Sequence, residues 1–198
     1  MKVKKVLMTI AVLLASLPLA HAQQHVGIKT NILYDALLSP TLGIEVGLAP
    51  RWSFDLSGTA NFWTVNNRRW RQWMVQPEAR LWFCQRNSGR FLGFHAIGGQ
   101  YNFGNLDFLG KGNKFLGTDF GQLKDHRLQG WMVGAGVVYG YSWMLDQRWN
   151  LEAEIGAGWI YTQYDRFWCE GCGAKELVNK VHHYVGPTKA AVNLIYNF

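Results

Sequence analysis

Two cysteines with metal-ligand spacing lie late in the chain, and two histidines follow them. Cys169 and Cys172 are separated by two residues, and His182 and His183 come ten residues after Cys172. Two thiolates and two imidazoles can form a tetrahedral zinc site, but adjacent histidines cannot easily face one ion. The spacing also suits a local disulfide or a free thiol pair, and no βαβ pattern indicates redox chemistry. We favour a Cys169–Cys172 disulfide over a metal site, and expect Cys84 to be unpaired.

The densest basic and aromatic stretch is NNRRWRQW at 66–73. In a nucleic-acid-binding protein it would contact phosphates and stack on bases. On the outer rim of a membrane protein it would meet the phosphates of lipopolysaccharide, with its tryptophans at the headgroup level. A solvated hairpin loop is the third interpretation. The alternating strand pattern of the chain, described below, favours lipopolysaccharide contact through Arg68, Arg69, Trp70 and Arg71.

The sequence contains no recognisable nucleophilic site. Acyl transfer needs a serine or cysteine beside a histidine that a third group orients. No histidine is closely spaced to the serines Ser39, Ser53, Ser57, Ser88 and Ser142. Strand pairing could bring His95 or His126 to one of them, but the sequence shows no such arrangement. We therefore expect no catalytic residues, no cofactor and a role other than catalysis.

The strongest pattern in the chain is alternation with a period of two residues, in segments of about ten residues. Trp149, Leu151 and Ile155 share one face, for example, and Glu152 and Glu154 share the other. Segments of this kind lie at 25–34, 41–48, 52–62, 73–83, 91–102, 127–143, 149–161 and 189–198. The parity of 91–102 is weak, so its faces stay unassigned. The pattern predicts eight antiparallel strands.

The connections between these segments alternate between short and long. The short ones lie at 49–51, 85–90 and 145–148, whereas the long ones lie at 63–72, 103–125 and 163–184. Short turns at one end and long loops at the other are typical of outer-membrane barrels. After the first residues, no uniformly apolar segment reaches about 18 residues, which excludes a helical membrane protein.

The polar faces of the predicted strands carry charges of both signs near the strand centres. These residues are Lys29, Glu45, Asp55, Glu78, Arg80, Glu152, Glu154 and Lys189. An eight-stranded barrel is just wide enough inside for side chains to fill, so the charges can neutralise one another there without an open pore. The apolar faces would then contact lipid, between interfacial girdles of aromatic residues. The alternative is a soluble barrel whose charged face is solvated.

Residues 1–22 have the pattern of a secretory signal peptide. Lys2, Lys4 and Lys5 precede an apolar stretch, and small residues at 20 and 22 suit a cleavage site. We expect a single mature domain at 23–198. Loss of the three lysines reduces the formal net charge from +7 to +4, which does not indicate nucleic acid. Phe198 ends an alternating strand, as the signal for the bacterial barrel-assembly machinery does.

The chain resembles a family of small outer-membrane barrels of unknown function from anaerobic Gram-negative bacteria. The resemblance covers nearly all of 23–198, and its matching stretches are KTNILYD (29–35), GIEVGL (43–48), RWSFDL (51–56), QPEAR (76–80), GQYN (99–102), WNLEAE (149–154), CEGC (169–172) and GPTKAA (186–191). It implies a role in the cell envelope and, because such genes often lie near fimbrillin-type genes, a link to fimbriae. The family has no established catalytic residues.

These observations predict an all-β, eight-stranded antiparallel transmembrane barrel with a structural or interaction role in the outer membrane. The expected partners are lipid, lipopolysaccharide, the assembly machinery and a surface or fimbrial protein, which would contact the loops at 103–125 and 163–184. Two alternatives stay open: a barrel enzyme that modifies outer-leaflet lipid, and a soluble periplasmic ligand-binding barrel.

Overall fold

The computed structural model describes residues 26–62, 64–65, 68–104, 114–115, 118–119, 126–168 and 175–198. In chain order their elements are β1 (Val26–Asn31), α1 (Ile32–Ala36), β2 (Thr41–Ala49), β3 (Trp52–Asn61), β4 (Thr64–Val65), β5 (Arg68–Trp82), β6 (Gly89–Gly104), β7 (Lys114–Phe115), β8 (Thr118–Asp119), β9 (Arg127–Met144), β10 (Trp149–Phe167) and β11 (Lys175–Asn197). In this part of the chain, no helix is long and apolar enough to cross a membrane. The expected signal peptide lies outside the described residues.

Eight of the strands form a closed antiparallel ring, which confirms the predicted all-β fold. The ring strands are β1, β2, β3, β5, β6, β9, β10 and β11; each pairs with the next, and β11 pairs with β1. The short β4 extends the β3–β5 connection, and β7 pairs with β8. Tight turns, the start of β1 and the end of β11 lie at one end of the ring, here called the turn end. The longer connections and α1 lie at the other end, called the loop end.

The pairing partners shift along the strands from one side of the ring to the other. Lys29 of β1 pairs directly with Ile195 of β11. The row of paired residues can also be followed from Lys29 in the other direction, through the six other ring strands. It then reaches β11 at Tyr184, which is eleven residues closer to the start of β11 than Ile195. A closed ring with such a displacement has strands tilted by roughly 35–45° from its axis.

Large apolar side chains face outward on the ring strands. Along β9, Val133, Val137 and Tyr139 are exposed, whereas Val138 and Ser142 are buried. Exposed residues on other ring strands include Leu42, Leu56, Trp73, Phe94, Ile155 and Val185. A protein folded in water usually turns such residues toward its core, so the polarity of this ring is inverted.

One small apolar cluster lies inside the ring, near the turn end. Trp82, Phe91 and Val138 are almost completely buried, and the rings of Trp82 and Phe91 lie with their centroids 4.7 Å apart. Gly140 of β9 lies against the ring of Phe91, where a Cβ atom would collide with it. Glycine is required at this position by the close approach of the phenyl ring.

Several strands are longer at the loop end than the sequence pattern predicts, whereas β1 is shorter there. β10 continues to Phe167 and β11 begins at Lys175, so the predicted loop at 163–184 is largely a hairpin of paired strand. β5 likewise begins at Arg68, and the predicted strand 25–34 ends at Asn31, where α1 follows. At the loop end, both faces of the β10–β11 hairpin carry polar residues. The two strands therefore stay paired beyond the point at which the alternation of apolar and polar residues stops.

A glycine substitution tests the packing inside the ring. We expect Gly140→Ala to lower the free energy of unfolding by about 1–3 kcal/mol, the usual cost of overpacking, because the added methyl group displaces Phe91. Urea unfolding of the purified protein, followed by tryptophan fluorescence, measures the change. Gly98→Ala is the matched control, since an added Cβ there meets nothing within 4 Å. Equal destabilisation by the two substitutions would contradict the packing described.

Candidate functional site

All eight charged residues singled out in the sequence are buried inside the ring. They form the interior charge cluster: Lys29, Glu45, Asp55, Glu78, Arg80, Glu152, Glu154 and Lys189. Each lies on the inward-facing parity of its strand, and together they come from β1, β2, β3, β5, β10 and β11. Residues far apart in the chain therefore meet because the sheet closes on itself.

Arg80 lies at the centre of the cluster and is 0 % exposed. Its Nε donates to Glu78 Oε1 at 2.7 Å, and its Nη1 donates to Glu45 Oε2 at 2.8 Å and to Glu152 Oε2 at 3.0 Å. Its Nη2 donates to Glu154 Oε2 at 3.0 Å. One guanidinium thus joins carboxylates from three strands, as its planar fork of donors allows.

The two lysines extend this network to other strands. The ammonium nitrogen of Lys29 lies 2.6 Å from Asp55 Oδ2 and 3.7 Å from Glu152 Oε1. Lys189 Nζ lies 2.5 Å from Glu78 Oε2 and 3.0 Å from Glu154 Oε1. Glu78, Glu152 and Glu154 therefore each contact two cations, which makes the network continuous.

Neutral side chains supply further hydrogen bonds to the carboxylates. Asn193 Nδ2 donates to Glu152 Oε1 at 2.9 Å and to Glu154 Oε1 at 3.0 Å. Ser53 Oγ donates to Glu45 Oε1 at 2.6 Å, and Trp82 Nε1 donates to Ser53 Oγ at 2.9 Å. These donors matter because the cluster has five carboxylates and three cations, and an unpaired buried charge is costly.

Strand β6, whose faces the sequence left unassigned, contributes two rings to the interior. The guanidinium carbon of Arg80 lies 4.7 Å from the centroid of the Phe91 ring. His95 Nε2 lies 3.0 Å from Thr188 Oγ1 on β11. Phe91 and His95 were missed because the glycines of β6 obscure its alternation. Phe91, His95 and Ile97 all occupy odd-numbered positions of β6, and this shared parity is the signal that could have identified its inward face.

Little free space remains around the interior charge cluster. A cavity of about 10 Å³ lies beside Lys29, Tyr34 and Glu154, which is at the lower limit for holding one water molecule. A larger cavity of about 420 Å³ lies toward the loop end, where Tyr101, Gly130 and Tyr164 contribute to its lining. Of these two cavities, only the one at the loop end is large enough for a ligand bigger than a water molecule.

The predicted lipopolysaccharide contacts lie in a strand rather than in a loop. β5 contains all four of them: Arg68, Arg69, Trp70 and Arg71. Arg71 is exposed, two residues from the exposed Trp73. Trp70 instead packs edge-to-face on Phe103, with ring centroids 6.1 Å apart, on the inner side of the sheet. Alternation along β5 turns consecutive side chains to opposite faces, so Trp70 faces inward whereas Arg71 and Trp73 face outward, and the lipopolysaccharide contact stays a prediction.

A second group of charges lies at the loop end, where β9, β10 and β11 meet. Arg166 Nη2 donates to Glu176 Oε1 at 2.7 Å, and His126 Nε2 lies 3.4 Å from Glu176 Oε2. The guanidinium of Arg127 lies 4.1 Å from the centroid of the Phe167 ring. The sequence pattern did not predict this group, because part of it falls in the segment interpreted as a loop.

The cysteine and metal predictions concern other parts of the chain. Cys169 and Cys172 lie outside the described residues, so their predicted disulfide stays a prediction. Cys84 is exposed, in the connection between β5 and β6, and its thiol is free. The described residues contain no group of three or more histidine, cysteine, aspartate or glutamate side chains arranged to hold a metal ion.

The fold and the interior define a class of protein: an all-β ring of eight antiparallel strands, with a charged, hydrogen-bonded interior and an apolar exterior. The chain belongs to the family described as a protein of unknown function, DUF3575, whose model matches residues 7–198. Comparison with curated proteins and with solved structures gave no match.

Removal of the central cation tests how far the cluster stabilises the fold. We expect Arg80→Met to lower the free energy of unfolding by about 3–5 kcal/mol, because it leaves several buried carboxylates without their partner. Addition of Glu152→Gln to this variant should restore part of the loss, since it removes one of those carboxylates. Arg71→Met, at an exposed arginine of the same strand, is the control. Urea unfolding checks all three variants, and a similar effect at Arg71 and Arg80 would refute the role of the cluster.

Proposed function

We propose that this protein is a small β-barrel of the outer membrane with a structural or interaction role in the cell envelope. The observation that carries the proposal is the inverted polarity of the ring, with paired charges inside and large apolar residues outside. Hydrocarbon is the solvent in which such an exterior is stable, and a closed ring leaves few unpaired strand edges within it. The expected signal peptide supports export across the inner membrane.

The dimensions of the ring support this proposal. Trp149 and Trp159 are both exposed on the outer face of β10, ten residues apart. At about 3.3 Å per residue this separation is about 33 Å along the strand, which a tilt of roughly 40° reduces to roughly 25 Å. That is the height of the apolar band that outer-membrane barrels present between their aromatic girdles.

The connections support an orientation. Outer-membrane barrels have short turns on the periplasmic side and longer loops on the outer side, so the turn end would face the periplasm. Trp73, Trp131 and Trp159 would then lie near the outer leaflet, with Arg71 close to the phosphates of lipopolysaccharide. Because the interior charge cluster occupies the middle of the ring, the proposed role is contact with envelope partners rather than passage of solutes. A link to fimbriae rests only on the resemblance to the barrel family.

Electrophoresis without boiling provides the first test. A folded barrel resists detergent until it is heated, so we expect the protein from the membrane fraction to migrate differently before and after boiling. The Arg80→Met variant should lose this difference at a lower temperature than Arg71→Met. Recovery of the protein in osmotic-shock fluid, with no change of migration on boiling, would contradict the proposal and favour a soluble periplasmic barrel.

Thiol labelling of intact cells provides the second test. In a background in which the native cysteines are replaced by serine, Lys180→Cys at the loop end should react with a membrane-impermeant maleimide. Gln147→Cys, in the exposed turn between β9 and β10, should react only after the outer membrane is permeabilised. The reverse order of labelling would contradict the proposed orientation, and equal labelling of both would contradict insertion.

A further inference from the structure

Strand β11 is much longer than the neighbour that should cover its outer edge. β11 has 23 residues, whereas β1 has 6. β10 pairs with β11 from Lys175 to Tyr196, but β1 pairs with it only over 193–197. Helix α1 and the end of β1 cover the next few residues, where Val192 N–H donates to Asn31 Oδ1 at 3.2 Å. Among the described residues, no strand or helix pairs with the remaining side of β11 at 175–184, which we call the β11 edge.

The β11 edge lies beyond the apolar band of the ring. Val185 pairs with Trp159, the tryptophan that marks the loop-end limit of the apolar band on β10, and the β11 edge continues from there away from the turn end. An open strand edge inside hydrocarbon would leave backbone donors and acceptors without partners, which is prohibitively costly. Above the band the same groups are accessible to water and to another polypeptide.

The side chains of the β11 edge favour pairing with an extended peptide. Val178 and Val181 are 58 % and 44 % exposed, and β-branched residues stabilise strands. Lys180 is exposed and has no ion-pair partner among the described residues, whereas Lys175 Nζ donates to Asp165 Oδ2 at 2.8 Å. This contact and the backbone N–H of Asn179 lower the pKa of Asp165. The charge left available on the β11 edge is therefore positive.

A second copy of the chain is a poor occupant of this edge. Two copies in one membrane share the same orientation, so a two-fold axis between them runs along the membrane normal. Such an axis would reverse the tilt of one β11 edge relative to the other, so the two tilted strands would cross at roughly 70–90° and could not pair along their length. The geometry favours a strand from a different protein.

We propose that the β11 edge binds an extended, acidic segment of another protein, which adds to the sheet as a further strand. Irregular pairing with β10 at 175–180 and the positive φ of Asn179 interrupt the strand there, so backbone hydrogen bonds to the regular part of the edge at 180–184 would supply most of the affinity. A carboxylate opposite Lys180 would supply selectivity, as in other cases of strand addition. The orientation of the edge toward the exterior rests on the proposed outer-membrane location, whereas the binding itself does not.

A synthetic strand tests the proposal on the purified full-length protein in detergent micelles. The probe is a fluorescent peptide as long as the β11 edge, in which valine or threonine alternates with glutamate. We expect binding, measured by fluorescence anisotropy, together with slower amide hydrogen exchange at 175–184. A peptide with lysine in place of glutamate, and an acidic peptide N-methylated at alternate residues to remove backbone donors, should both bind at least about tenfold more weakly, since each lacks one of the two contributions.

A charge reversal on the protein completes the test. Lys180→Glu should weaken binding of the acidic peptide by about three- to tenfold at low ionic strength, with a smaller effect at high salt because exposed charges are screened. Arg51→Glu, in the exposed turn between β2 and β3, is the matched control and should leave binding unchanged.

Three results would overturn the proposal: no binding at about 1 mM peptide, equal binding of the acidic and basic peptides, or slow exchange at 175–184 in the free protein, which would show that the chain itself covers the edge. These results are independent of the cell-labelling experiment. Peptide binding without outer-membrane location would reject only the proposed function, and surface labelling without peptide binding would reject only the edge as a docking site.

Discussion

The guanidinium of Arg80 is completely enclosed by protein, and four glutamate carboxylates and the face of the Phe91 ring surround it in place of water. Removing such a group from water is costly unless every donor finds an acceptor in good geometry. Four glutamates from β2, β5 and β10 accept hydrogen bonds from its Nε, Nη1 and Nη2, and Lys29 and Lys189 connect them to β1, β3 and β11. The arrangement exists only when the ring is closed in one register. A slip of one residue in any of these strands would move its charge to the apolar outer face.

This ionic interior limits what can stabilise the rest of the protein. The apolar cluster of Trp82, Phe91 and Val138 is small, so the interior offers little hydrophobic burial compared with a globular core. Most large apolar side chains lie on the outside of the ring. The free energy that these residues contribute therefore depends on what surrounds the ring, which is why its polarity carries the proposal of membrane insertion.

The two ends of the ring differ in the same physical terms. At the turn end, short connections and buried aromatic residues complete the structure. At the loop end, β5, β6, β9, β10 and β11 rise beyond the short strands β1, β2 and β3, and one side of β11 has no described neighbour. Backbone groups of β11 without a described partner lie beyond the apolar band, where water can satisfy them. An interaction at the loop end, on the side of the ring with the longer strands, therefore disturbs the fold least.

Much of the fold and of the interior cluster could be predicted from the sequence. Alternation along 149–161 assigns Glu152 and Glu154 to one face of a strand, and the same local argument applies to Lys29, Asp55 and Arg80, because side-chain direction in a strand depends only on parity. The partners of each charge could not be predicted, since ring closure brings together residues such as Arg80 and Glu154 that are distant in the chain. The faces of β6, the length of the β10–β11 hairpin and the open edge of β11 were likewise decided by tertiary structure. Backbone pairing and contacts between strands determine these features. Where glycine or polar residues occupy both faces of a strand, these interactions leave no periodic pattern in the sequence.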